Sequence, residues 1–91
     1  MGTRLEARVY GLVQGVFFRH YTRITAGKFE LTGSVANQPD GTVLVIAEGS
    51  QDNVDKLLEW LQQGPELARV DRVDVRWSSP LGNHTGFAIL R

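Results

Sequence analysis

With 91 residues and no cysteine, the chain suits one domain with a single core, read over residues 1–91, and it excludes a disulfide framework, a thiolate zinc site and a thiol nucleophile. Ten basic and ten acidic residues give a formal net charge of +0, so no global field draws the molecule to nucleic acid or to an anionic membrane, and any anion site has to be local. No apolar run approaches the ~20 residues of a membrane span and "MGTRLEAR" carries no signal-peptide pattern, so the expected location is the cytoplasm.

The first element is a strand. In "LEARVYG", Leu5, Ala7 and Val9 alternate with Glu6, Arg8 and Tyr10, the period of two that gives one dry and one wet face, and Gly11 ends the run. From Phe18 to about Phe29 the period changes. Phe18, Tyr21, Thr22, Thr25, Ala26 and Phe29 share one band of a helical wheel, which predicts a first helix with its last turn weakened at Gly27. "SVANQPDGTVLVIAEG" then places two alternating runs around Pro39-Asp40-Gly41, a strong hairpin signal for a second and a third strand. Ser50 is placed to cap a second helix, in which Val54, Leu57, Leu58 and Leu61 follow i, i+3, i+4, i+7 before Gly64-Pro65 stops it. "DRVDVRW" predicts a fourth strand with Val73, Val75 and Trp77 facing inward, and "FAIL", Phe87 to Leu90, a short fifth strand at a sheet edge.

The order β-α-β-β-α-β with a terminal strand predicts an α+β, ferredoxin-like sandwich: an antiparallel sheet with both helices on one face. The other face would carry Glu6, Arg8, Tyr10, Arg72, Asp74 and Arg76, a mixed charge lattice that reads as solvated surface. Leu44 and Ile46 add apolar area to that same face.

Between strand one and helix one lies "GLVQGVFFR". A loop entering a helix leaves backbone N–H groups without partners, and these together with the helix dipole favour an anion. Gly11 and Gly15 permit close backbone approach, and the Arg19 guanidinium would present a planar fork to two phosphate oxygens. On spacing alone a second reading stands beside this one: a surface arginine in the first turn of a helix, behind glycines that serve a turn. Asn37, just before the Pro39-Asp40-Gly41 turn, has an equally ordinary alternative as a hairpin residue.

The two segments together resemble the acylphosphatase family, whose signatures are a Gly-x-Val-Gln-Gly-Val-x-Phe-Arg loop and a Gly-Trp-Val-x-Asn-x-x-Asp-Gly-x-Val hairpin, matched here by "GLVQGVFFR" and "GSVANQPDGTV". The resemblance extends over nearly the whole chain, including "AEG" before the second helix. It implies hydrolysis of the carboxyl-phosphate bond in small acyl phosphates, with no metal and no organic cofactor. By motif position it makes Arg19 the phosphate-binding arginine and Asn37 the residue that orients the attacking water. The backbone amides of Gln14, Gly15, Val16, Phe17 and Phe18 would hold the phosphate oxygens. The partners so implied are a small acyl phosphate and phosphate or another anion in the site, with no nucleic acid and no membrane, and the molecule is expected to be a monomer. Such chemistry asks for positioning and electrostatic stabilisation more than for a strong general acid, since a carboxylate leaves readily.

Other residues receive plainer roles. His20 is not assigned to catalysis, Trp60 and Trp77 are expected to pack, and Phe17 and Phe18 are expected to anchor the loop to the core. Departures from the family pattern fall at Ser34, where tryptophan is usual, at Ala36, and at Glu30, where glycine would accept a left-handed conformation that costs other residues roughly 1 to 2 kcal/mol. Two rivals remain open at this point. One is a binding or transfer module similar to the acylphosphatase-like domains of larger carbamoyl-phosphate-using proteins. The other is a ferredoxin-like RNA-binding module, which would need outward aromatics and a basic face where only Tyr10 stands.

Overall fold

The computed structural model describes residues 2–90. Its elements run β1 (Gly2–Leu12), α1 (Phe18–Lys28), β2 (Thr32–Asn37), β3 (Val43–Ser50), α2 (Gln51–Leu61), β4 (Arg69–Ser78) and β5 (Phe87–Leu90). They form one sheet in the order β4-β1-β3-β2-β5. The ferredoxin-like βαββαβ arrangement is present with its four main strands antiparallel. β5 adds beside β2 in parallel, with Gly33 opposite Phe87 and Ala36 opposite Leu90, so the complete sheet is mixed. The parallel pairing follows from the route of the chain, which leaves β4 at one edge and crosses to the opposite edge before β5 begins.

Alternation in β1 becomes burial. Leu5, Ala7 and Val9 are fully enclosed together with Val43, Val45 and Ala47 of β3 and Val35 of β2. Val54, Leu57 and Leu61 of α2 close this layer from above, as their helical spacing requires. The buried stripe of α1 is narrower than the wheel suggests: Phe18, Thr22 and Ala26 are enclosed and Phe29 is half-buried, whereas Tyr21 is exposed. β4 also departs from expectation. Val73, Val75 and Trp77 stand opposite Val9, Ala7 and Leu5, on the helix side as predicted, yet Val75 and Trp77 stay exposed. The two helices cover mainly β1, β3, β2 and β5; Val70 and Val73 of the edge strand β4 still pack against the core, whereas Val75 and Trp77 further along it do not.

Local chemistry sets the element ends. The Ser50 hydroxyl accepts from the Asn53 N–H at 3.2 Å and caps α2, as the sequence predicts. At the end of α1, Glu30 takes φ 55°, while its N–H donates to Gly27 O at 3.1 Å and the Leu31 N–H to Ala26 O at 3.0 Å. That is a Schellman closure with glutamate in the left-handed position. The β2–β3 turn closes through Gly41 N–H to Gln38 O at 3.1 Å and Gln38 N–H to Thr42 O at 2.8 Å. Asp40 accepts from the Thr42 hydroxyl at 2.6 Å and the Thr42 N–H at 3.0 Å, and these bonds hold its carboxyl below the ordinary range.

One ionic contact anchors the connection from β4 to β5. Glu48 is directly opposite Arg4 and accepts from its guanidinium at 2.6 Å, from the Leu81 N–H at 3.0 Å and from the Gly82 N–H at 3.1 Å. Its carboxylate is buried. Burial pushes the carboxyl pKa up, but the Leu81 N–H, the Arg4 guanidinium and the Gly82 N–H together outweigh it and hold the group below 4.5.

Candidate active site

β1 and β2 finish at the same end of the sheet, and α1 begins there. The loop joining β1 to α1 is pinned at three points. Val13 and Phe18 are buried in the core, the Phe18 ring lying 5.7 Å from that of Trp60. Gly64 lies so close to Phe18 that a Cβ there would meet the ring at 2.7 Å, so the end of α2 admits the anchor only because that residue is glycine. The third point is polar. Gln14 Nε2 donates to Gln38 O and to Thr42 O, both at 2.9 Å, and ties the loop to the base of the β2–β3 hairpin, next to Asn37.

Between these pins the backbone is contorted. Gly15 has φ 77° and Phe17 has φ 61°, two left-handed residues separated by Val16. Such turns aim successive N–H groups toward a common point, the geometry of an anion-binding concavity. Nothing lies within 4 Å of where a Gly15 Cβ would be, so the glycine meets a conformational need there and not a steric one. Among the described residues, no turn or loop hydrogen bond uses an N–H of Gly15, Val16 or Phe17 as donor.

A cavity of about 290 Å³ opens over this loop, lined in part by Gly15, Arg19, His20, Asn37 and Ile89. Arg19 and Asn37, 18 positions apart in the sequence, thus face one space. Arg19 Nη1 donates to Leu90 O of β5 at 3.2 Å, which fixes the side chain while leaving the rest of the guanidinium fork available. Asn37 Oδ1 is buried and, among the described residues, has no hydrogen-bond partner. An orphaned amide oxygen costs roughly 1 to 3 kcal/mol unless a water or ligand completes it.

The residues read from the sequence distribute as follows. Gly15, Phe17, Phe18, Arg19 and Asn37 line the cavity, whereas the side chains of Gln14 and Val16 do not. Gln14 turns to the hairpin and Val16 to a neighbouring groove. Phe18 is the core anchor that was expected. Phe17 is not: its ring is exposed, because the left-handed backbone at that position turns it away from the core. His20, Ile89 and the Leu90 carbonyl complete the surroundings, and the sequence singled out none of the three for the site. The last two arrive only through the parallel pairing of β5 with β2, which leaves no local signature.

Fold and cavity together define a class: a ferredoxin-like α+β sandwich with a small-molecule cavity where the first loop meets the β2–β3 hairpin. The Acylphosphatase family model matches residues 5–89. Acylphosphatases of Salinibacter ruber and Methylococcus capsulatus are 44% and 47% identical over 88 residues, 97% of this chain and 93% and 96% of theirs. The crystal structure of acylphosphatase from Bacillus subtilis superposes with a TM-score of 0.94 at 32% identity, covering 98% of this chain and 99% of that one. The chain belongs to the acylphosphatase family.

Proposed function

We propose that Arg19 and the amides of Gln14 to Phe18 bind the phosphoryl group of an acyl phosphate while Asn37 holds the attacking water. Family membership supplies the reaction itself: the chain hydrolyses the carboxyl-phosphate bond of small acyl phosphates to a carboxylate and inorganic phosphate. The observation that carries the assignment of roles is the buried, unpartnered Asn37 Oδ1 in the same cavity as Arg19 and the unbonded loop N–H groups.

The step follows from those groups. Loop amides and the Arg19 guanidinium neutralise the nonbridging phosphate oxygens, which spread charge as the bond to the acyl oxygen lengthens. Asn37 Oδ1 accepts a hydrogen bond from a water and directs one of its lone pairs at phosphorus. The water oxygen bonds to phosphorus, and the electron pair of the broken P–O bond stays on the acyl oxygen, which leaves as a carboxylate. One water proton passes to a nonbridging phosphate oxygen, so no side chain has to act as base. Gln14 acts through the hairpin and is a positioning residue: by holding Gln38 O and Thr42 O it fixes the distance between the phosphate loop and Asn37.

The same proposal takes residues 1–91 as one domain working as a monomer in the cytosol. Its one-domain part is supported by the hydrophobic cluster that both helices and the sheet share among the described residues. No helix among the described residues is long and apolar enough to cross a membrane. Titration with inorganic phosphate tests the binding half of the assignment. Arg19→Ala is expected to abolish saturable phosphate binding in a chain that remains folded, and undiminished affinity in that variant would remove Arg19 from the site.

A further inference from the structure

His20 lines the active-site cavity, and the hydrolytic step leaves it without a task. It follows Arg19 at the start of α1, where successive side chains leave a helix about 100° apart, yet both residues border the one space that opens over the phosphate loop. Arg19, Thr22 and Thr25 of the same helix commit donors to backbone carbonyls. The His20 ring instead stands edge-on to that of Tyr21, with 5.2 Å between centroids.

The charges of the cavity are of one sign. Arg19 supplies a guanidinium and the start of α1 adds the partial positive charge of its dipole. Among the described residues, no aspartate or glutamate lines the space or stands in the first turn of the helix. The groups around His20 are the Arg19 guanidinium and the Tyr21 phenol on α1, the Asn37 amide on β2, and Ile89 with the Leu90 carbonyl on β5. An imidazolium at this position therefore meets no carboxylate that would neutralise it. A phosphoryl dianion carries two negative charges, of which the Arg19 guanidinium matches one. Histidine gains its own charge within the range from pH 8 to pH 5 and then donates from both ring nitrogens, so it is equipped to match the other.

Resting on the acyl phosphate reading, we infer that His20 is a second cationic binding residue of the phosphate site: as imidazolium it donates a charge-assisted hydrogen bond to the bound dianion, and phosphate-like ligands bind more tightly as the pH falls. The neutral ring offers one N–H without the charge, so the contact weakens above neutrality. His20 neither gives nor takes a proton in the hydrolytic step, which proceeds as described. Because the side chain is exposed, solvent screens the contact, and the gain in affinity is about five- to tenfold, at the low end for a hydrogen bond to a charged group.

Sulfate is the probe, because it stays a dianion from about pH 8 to about pH 5.5 and leaves the protein as the titrating partner. Its dissociation constant is measured by calorimetry at constant ionic strength in the wild type, His20→Gln and His20→Lys. The replaced side chain is exposed, so folding is retained and is verified by circular dichroism. The wild type should bind sulfate about five- to tenfold more tightly at the lower pH. His20→Gln should bind at both pH values as weakly as the wild type does at the higher one, and His20→Lys should bind tightly at both, its ammonium being charged throughout. At the lower pH, sulfate should also shift the ring nitrogen resonances of His20 and leave those of His84, in the connection between β4 and β5, in place. A wild-type affinity that does not change with pH, a pH dependence that persists in His20→Gln, or a lysine variant as weak as the glutamine one would overturn the role of His20 while leaving the phosphate site intact. Sulfate binding that is absent from the wild type at both pH values, or unchanged in Arg19→Ala, would overturn the phosphate-site reading and the inference with it.

Discussion

Replacing Glu30 with glycine is expected to stabilise the protein. Glu30 occupies the left-handed position of the α1 closure at φ 55°, where its Cβ crowds the backbone and the cost is about 1–2 kcal/mol. The bonds that define the closure, Glu30 N–H to Gly27 O and Leu31 N–H to Ala26 O, are made by backbone atoms and survive the substitution. Glycine returns part of the gain, about 0.4–1 kcal/mol, through the greater freedom of the unfolded chain. The net is roughly 0.5–1 kcal/mol, or a rise in Tm of about 3–6 °C for a domain of this size. A carboxylate at a helix C-terminus also opposes the dipole, so Glu30→Gln serves as the control for charge and should recover only a few tenths of a kcal/mol. Urea unfolding and thermal melts of the three proteins provide the comparison. If glutamine stabilises as much as glycine, backbone strain at this position is not the source of the cost.

Glu48 links stability to acid pH. Its carboxyl lies below 4.5 in the folded state, so its contribution is complete above that pH and disappears as pH falls through the folded value. Glu48→Gln should therefore lose about 1–3 kcal/mol at neutral pH, and the gap to wild type should narrow below pH ~4.5 in chemical denaturation. A gap that stays constant with pH would mean that the Arg4, Leu81 and Gly82 contacts do not depend on the charge. Gln14→Ala removes both donors to Gln38 O and Thr42 O and is expected to cost about 1–3 kcal/mol of stability. It should also lower kcat on acetyl phosphate more than it raises KM if the tie from loop to hairpin sets the spacing to Asn37. A variant with wild-type kcat would dissociate the loop–hairpin tie from turnover.

Much of this structure is visible in short-range pattern. Leu5, Ala7 and Val9 announce both the strand and its buried face, because a pleat sends alternate side chains to opposite sides. Ser50, Pro39-Asp40-Gly41 and Gly64-Pro65 mark the ends of elements through backbone chemistry that needs no distant partner. Departures arise where the outcome depends on what lies across the fold. Val75 and Trp77 alternate like core residues but belong to an edge strand that the helices do not cover, so pattern alone overstates their burial. Tyr21 falls in the inward band of the wheel, yet it lies at the surface beside Trp60 and Leu67 and not in the core. Phe17 departs for a different reason: a hydrophobic residue beside a buried Phe18 reads as an anchor, but its left-handed backbone leaves the ring exposed. At the candidate site, two long motifs single out Arg19 and Asn37, which line one cavity, whereas the Leu90 carbonyl and Ile89 depend on a parallel strand pairing made more than 50 residues downstream.

The proposed hydrolysis depends on a water held by Asn37, and the turnover of benzoyl phosphate by Asn37→Ala tests that role most directly. Loss of one oriented polar group at a developing transition state should reduce kcat by about 10²–10³-fold, some 2.7–4 kcal/mol, while affinity for inorganic phosphate stays at the wild-type level because Arg19 and the loop are intact. Undiminished turnover in that variant would contradict the assignment.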